Sequence, residues 1–199
     1  VLGMLGPFSI DTYLPAFSGI ASSLNASPVH MQQTLSAYLF GFAFMNLFHG
    51  ALADSFGRRP VILWGLMAFT LASLGCALAQ NVTQLIVFRA MQGLSCGAGV
   101  VVSRAIVRDI FPPTQAQKVM SQITIFFGLA PAIAPIMGGW LFVSLGWHSI
   151  FWLLTAIGLA LWAENFKMLP ESLHASQRQP FSIPHLMRGY WQLCTDPRF

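Results

Sequence analysis

The chain has 199 residues, of which 55% are hydrophobic and only 8% are charged. A water-soluble domain carries about 25% charged residues, so burial in a single aqueous core is excluded and lipid is the expected solvent. The formal charge of +4 does not argue for nucleic acid, because the basic residues follow alternate connections rather than one stripe.

A spanning helix needs about 20 mostly apolar residues. Six stretches qualify: 1–21, 31–53, 60–79, 84–107, 118–143 and 148–168. Helices are required, because bare backbone polar groups are not tolerated in hydrocarbon and no strand-length alternation suggests a barrel. The connections near 22–30, 80–83 and 144–147 hold no Lys or Arg, whereas those near 55–60, 108–118 and 169–199 hold Arg58, Arg59, Arg108, Lys118, Arg178, Arg188 and Arg198. The positive-inside rule puts the second set in the cytoplasm. The expectation is an all-α polytopic membrane protein, with residues 1–170 forming a six-helix bundle and 171–199 a cytoplasmic linker. The lack of an initiator Met and the apolar start read as a fragment of a longer chain. Cys76, Cys96 and Cys194 have no metal-type spacing and read as small buried hydrophobes. No phosphate loop, paired histidine ligands or nucleophile–base constellation suggests an enzyme, and no metal or cofactor is expected.

In the first span, Asp11 stands in Asp11-Thr12-Tyr13-Leu14-Pro15. A carboxylate in hydrocarbon is a proton or cation site by default. Counted from the outer ends at about 1.5 Å per residue, Asp11 lies about 15 Å deep and Arg89 of the fourth span about 8–10 Å, close enough for the two to meet. The second span carries Tyr38, Phe42, Met45 and Asn46, the first three at helical spacing on one face, a weak candidate substrate surface. His49 beside Gly50 reads as a packed polar neighbour.

The second and third spans are joined through Gly50-Ala51-Leu52-Ala53-Asp54-Ser55-Phe56-Gly57-Arg58-Arg59-Pro60. Gly50 allows close backbone approach and Gly57 permits turn geometries closed to other residues. Asp54 is suited to a helix N-terminus or an arginine. In the fourth span, Arg89 is followed by Gln92 and Gly93; a charge there faces a partner or a wet cavity. In the fifth span, Ala130, Ala134 and Gly138, with Pro135 and Gly139 alongside, make a smooth face for helix packing, and Pro131 and Pro135 permit bending. Beyond the sixth span, apolar residues from Ile183 to Cys194 at helical spacing suggest an interfacial helix over 182–194.

The loop pattern resembles the signature loop of the major facilitator superfamily, except that Ser55 stands where that family usually has a base. Leu85-x-x-x-Arg89-x-x-Gln92-Gly93 is similar to the family's fourth-helix motif, whose arginine is implicated in proton coupling. Ala130-x-x-x-Ala134-Pro135-x-x-Gly138-Gly139 resembles its antiporter motif, with Ala at two positions usually held by Gly. With Asp11-x-Tyr13-Leu14-Pro15, Arg104-x-x-x-Arg108-Asp109, Gly146-Trp147-His148 and Leu169-Pro170-Glu171, the chain resembles the Bcr/CflA (bicyclomycin-resistance type) drug:proton antiporters over essentially its whole length. That resemblance implies the six-helix half of a twelve-helix fold. It implies a gating loop at Gly50, Asp54, Gly57, Arg58 and Arg59, and proton coupling at Asp11 and Arg89. It further implies export of small amphipathic compounds in exchange for protons by alternating access, in the inner membrane, together with a C-terminal half. A facilitator on the same fold, or a six-span remnant that does not transport, are the alternatives.

Overall fold

The computed structural model describes residues 2–182, 184, 186 and 187. Five long helices are apolar enough to cross a membrane by length and composition. They are α3 (Pro28–Phe56), α4 (Arg58–Ala77), α5 (Val82–Ile110), α6 (Pro113–Leu145) and α7 (His148–Met168). Each follows an expected span and most run past it at both ends. Hydropathy registers only the part in hydrocarbon, whereas the helices continue into polar surroundings, as α6 does through Thr114, Gln115 and Gln117. The termini explain themselves locally. Ser27 accepts the His30 N–H at 3.3 Å and Asn81 the Gln84 N–H at 2.9 Å, side-chain caps that satisfy otherwise orphaned donors. Gly146, at φ +80°, ends α6 in the backbone region that glycine tolerates.

The first span departs from expectation. Instead of one helix over 1–21, the chain forms a 3-10 turn (Leu2–Met4), α1 (Leu5–Asp11), a second 3-10 turn (Leu14–Ala16) and α2 (Phe17–Ser23). The cause is Pro15, which has no N–H to give the Asp11 carbonyl and whose ring crowds that carbonyl. The backbone there tightens to three-residue bonds, Tyr13 to Ile10 and Ala16 to Tyr13, both 3.1 Å. The broken segment over 2–23 is still about 33 Å long at 1.5 Å per residue, enough to cross.

Helix α5 is the axis of the bundle, packing against α3, α4 and the first segment, while α7 packs on α4 and α6 on the first segment and α7. The α3–α5 approach is closest where side chains vanish. A Cβ on Gly93 would strike the Tyr38 carbonyl, and one on Gly41 would lie 2.7 Å from the Ala90 carbonyl. In hydrocarbon no hydrophobic drive joins helices, so such close packing is what holds them. The candidate interfacial helix over 182–194 lies largely outside the described residues, which hold one of its helical bonds, Leu186 N–H to the Ser182 carbonyl at 3.0 Å.

Candidate functional site

Two polar assemblies stand out against the apolar bundle. The first surrounds Arg89, which is fully buried on α5. Its Nη1 donates to Gln92 Oε1 at 2.7 Å and to Ser9 Oγ at 3.3 Å. Gln92 Nε2 donates to Ser73 Oγ at 2.7 Å, and Ser73 passes its proton to the Phe69 carbonyl, also at 2.7 Å. A directed chain of donors thus runs from α5 into α4. The guanidinium lies between two aromatic faces, its Cζ 4.4 Å from the Tyr13 ring centre and 4.3 Å from that of Tyr38. Both phenols are anchored. Tyr38 donates to the Gly6 carbonyl at 3.1 Å. Thr34 gives its proton to the Met31 carbonyl, so Tyr13 is the donor in its 2.6 Å bond to Thr34.

No carboxylate pairs with this cation among the described residues, and its Nε and Nη2 have no hydrogen-bond partner. Asp11 is half-buried on α1 and forms no ion pair with Arg89. The depth estimate that allowed the two to meet omits direction. Ser9 faces Arg89, and two residues along a helix is about 200° of rotation, so Asp11 points nearly the opposite way.

The second assembly is the loop between α3 and α4. Gly57, at φ +102°, turns the chain directly from one helix into the next. Arg58 donates Nη1 to Asp54 at 2.5 Å and Nε to Asp109 of α5 at 3.1 Å. Ser172 adds a 3.1 Å bond to the same Asp109 oxygen. The α4 N-terminus is capped from 113 residues away, where Glu171 accepts the Arg58 N–H at 2.9 Å and, on its other oxygen, the Arg59 N–H at 3.3 Å. The next residue, Pro60, has no N–H to satisfy, so one carboxylate covers the first three positions of the helix and meets the positive end of its dipole. A Cβ on Gly57 would collide with the Glu171 carboxylate. Asp54, a sequence candidate for a helix N-terminus, pairs with Arg58 instead. Asp109 and Glu171 were visible only as parts of other motifs; their signal was an acid in the last turn of α5 and another just beyond the end of α7. Gly50 makes an ordinary contact, its Cβ position 3.8 Å from Val101.

The small-residue face of α6 has a definite partner. Ala130, Ala134 and Gly138 are buried, and a Cβ on Gly138 would strike the Thr12 carbonyl, at the break in the first segment, while one on Gly139 would sit 3.8 Å from Pro15. Pro135 is half-buried beside them within a helix that stays continuous through both prolines. The candidate substrate residues of α3 divide. Tyr38 is fully buried in the Arg89 assembly, and Phe42 packs beside Gly6. Met45 lines an open groove of about 540 Å³, and Asn46 a cleft of about 330 Å³ that also reaches Asp54 and Gln179. Asn46 Oδ1 and His49 Nδ1 both abut the bare backbone of Gly97.

The sequence model of the Major Facilitator Superfamily matches residues 1–197. A bicyclomycin resistance protein homolog from Haemophilus influenzae is 40% identical over 190 residues, 96% of this chain and 48% of that protein. The multidrug resistance protein MdtL of Escherichia coli is 36% identical over 175 residues, 88% of this chain and 45% of its own length. The crystal structure of a bacterial homolog of the lysosomal transporter Spinster superposes with a TM-score of 0.72 at 14% identity, over 98% of this chain and 47% of that one; that likeness is one of fold alone. The chain spans about half the length of the curated relatives it matches.

Proposed function

This chain belongs to the Major Facilitator Superfamily, and from that premise we propose that it is the N-terminal half of a proton-coupled exporter of small amphipathic compounds. Residues 1–170 form its six-span bundle in the inner membrane, with both ends cytoplasmic, and 171–199 link it to a C-terminal half. The matched relatives are named for bicyclomycin and multidrug resistance, which supports drugs as the substrate class.

The observation that carries this reading is the buried, unpaired charge of Arg89. A buried cation without a counter-ion is expensive, and Asp11 is the acid of the neighbouring segment. A deprotonated Asp11 attracts the guanidinium and a protonated one does not. The break over Leu14–Ala16 gives the first segment a place to pivot, and its contact with the small face of α6 allows sliding without large side chains in the way. Proton occupancy thereby biases the first segment between two positions, and substrate bound beside Asn46 competes for one of them. Protonation moves the equilibrium only by the difference in its binding free energy between the two states. At the cytoplasmic end, Gly50, Asp54, Gly57, Arg58 and Arg59 form the latch that holds α3, α4 and α5 together in one state.

The test uses the chain joined to its second half in proteoliposomes. Drug efflux is expected to follow an imposed pH gradient, and drug binding to release protons. Asp11→Asn is expected to abolish both responses while leaving insertion intact. Gradient-independent transport, unchanged by Asp11→Asn, is the behaviour of a uniporter and overturns the reading.

A further inference from the structure

Helix α4 has an outward face that neither polar assembly uses. Trp64 stands on it, 75% exposed, about 9 Å from the start of the helix at 1.5 Å per residue. An apolar groove runs along each side of this tryptophan. One, of about 540 Å³, lies between α3, α4 and α5 and is walled by Leu52, Phe56, Val61, Ala68, Met91 and Leu94. The other, of about 310 Å³, lies between α4 and α7 and is walled by Leu63, Met67, Trp162 and Phe166. Pro60 and Trp64 border both, so the grooves are two channels parted by one ridge.

Arg59 stands at the cytoplasmic head of that ridge, next to Pro60, and lines the second groove. Its guanidinium is held in place: Nη2 donates to the Phe166 carbonyl at 2.8 Å, and Cζ lies 5.5 Å from the Phe166 ring centre. Unlike Arg58 and Arg178, it forms no ion pair with a described carboxylate. Glu171 bonds to its backbone N–H and not to its side chain, and its Nε has no partner. The acids nearby are committed, Asp54 and Asp109 to Arg58 and Glu171 to the α4 terminus and Arg178. An oriented cation without a partner carboxylate therefore lines the second channel and stands next to Pro60, which borders both. From Pro60 to Ala68 the channels run about 12 Å along the helix, most of one leaflet's share of a hydrocarbon core about 30 Å thick.

We propose that this face binds one anionic diacyl phospholipid of the cytoplasmic leaflet, with its phosphate at Arg59 and one acyl chain on each side of Trp64. Two chains and one charged head match two grooves and one cation. The anionic class follows from charge. A zwitterionic lipid brings an ammonium group beside a guanidinium whose neighbouring carboxylates are already engaged, whereas phosphatidylglycerol brings none. Basic sites at the cytoplasmic ends of spanning helices recognise lipid headgroups in this way. The inference does not depend on proton-coupled export.

Tryptophan fluorescence tests it, with the chain in detergent micelles titrated with brominated phosphatidylglycerol or brominated phosphatidylcholine. The bromines quench only tryptophans they touch. The anionic lipid is expected to quench at about fivefold lower mole fraction, the preference of one basic residue for an anionic surface. Trp64→Phe is expected to leave only the share of that preferential component that comes from Trp162 in the second groove, Trp64→Phe with Trp162→Phe to remove it, Arg59→Gln to make the two lipids equivalent, and Arg59→Lys to keep most of the preference. Excess inorganic phosphate is expected to leave it in place, because the chains anchor the lipid. Equal quenching by the two lipids in the unmodified chain overturns the proposal. So does a preference that survives Arg59→Gln, and displacement by inorganic phosphate reassigns the site to a free anion.

Discussion

Arg58, at the start of α4, and Asp109, at the end of α5, face each other, Nε to Oδ2, at 3.1 Å. The same guanidinium turns a different edge, Nη1, to Asp54 of α3. One planar fork thereby ties three helices, and the guanidinium itself is nearly buried, with 10% of the side chain exposed.

A lysine cannot reproduce this. Its ammonium is a single point charge with no second edge at a fixed angle. Arg58→Lys is expected to lower the thermal midpoint in detergent nearly as far as Arg58→Gln. Asp109→Asn is expected to be more damaging than Asp54→Asn, because the Asp109 side chain is 25% exposed and that of Asp54 47%, so water screens the latter pair more; an exposed pair contributes about 0–1 kcal/mol. Equal melting of Arg58→Lys and the unmodified chain would show that charge alone suffices.

The capping of α4 by Glu171 and the turn at Gly57 form one device. Glu171→Ala is expected to destabilise by about 1 kcal/mol, the usual effect of losing a cap. Gly57→Ala adds a left-handed backbone cost and drives a methyl group into the Glu171 carboxylate, expelling the cap. Because each change removes the same contact, the double variant is expected to be markedly less destabilised than the sum of the two singles. Strict additivity in a denaturation cycle would mean the two act separately.

The glycines differ in what they do, and substitution separates them. Gly93→Ala places a methyl group against the Tyr38 carbonyl and has only backbone to push against. It is expected to cost about 1–3 kcal/mol, as overpacking does. Gly138→Ala meets the Thr12 carbonyl and is expected to behave likewise. Gly50→Ala and Gly139→Ala meet ordinary contacts at 3.8 Å and are expected to fold normally. Any transport defect at Gly50 is then a defect of the cycle and not of stability, which folded yield and transport assays on the same preparation distinguish.

Much of this was legible in the sequence, for reasons that also mark where legibility ends. Five spans were legible because twenty apolar residues in a row have few other uses. Pro15 was visible, but a proline inside an apolar run is compatible with a kinked helix, and only the packing of Thr12 against Gly138 shows that the segment is broken and used there. The small face of α6 could be read from its four-residue spacing; its partner could not, because no local pattern names a backbone carbonyl on another helix. The residues of the α3–α4 loop were legible as a cluster. Their partners Asp109 and Glu171 lie 51 and 113 residues from Arg58, beyond any pattern of adjacent residues. The meeting of Asp11 with Arg89 rested on depth alone, and two residues' difference in helical phase decided against contact in this arrangement.

Arg89 gives the sharpest separation between a structural and a functional charge. If it only filled space, replacing it with an apolar side chain of similar length would remove the desolvation cost of an unpaired buried cation, several kcal/mol per ion, against about 1–3 kcal/mol for leaving Gln92 Oε1 without its donor. Arg89→Met is therefore expected to melt at or above the temperature of the unmodified chain, although it loses the bonds to Gln92 and Ser9 and the contacts with Tyr13 and Tyr38. Gln92→Leu does the reverse: it keeps the charge, deletes its 2.7 Å acceptor and strips the relay to Ser73. It is expected to be destabilising by about 1–3 kcal/mol, the penalty for leaving a buried polar group without its partner. A stable Arg89→Met protein that has lost pH-dependent transport, beside a weakened Gln92→Leu protein that retains it in part, would mark Arg89 as a charge kept for the cycle at the expense of the fold. Severe unfolding of Arg89→Met would instead make the tyrosine-lined cation a structural keystone.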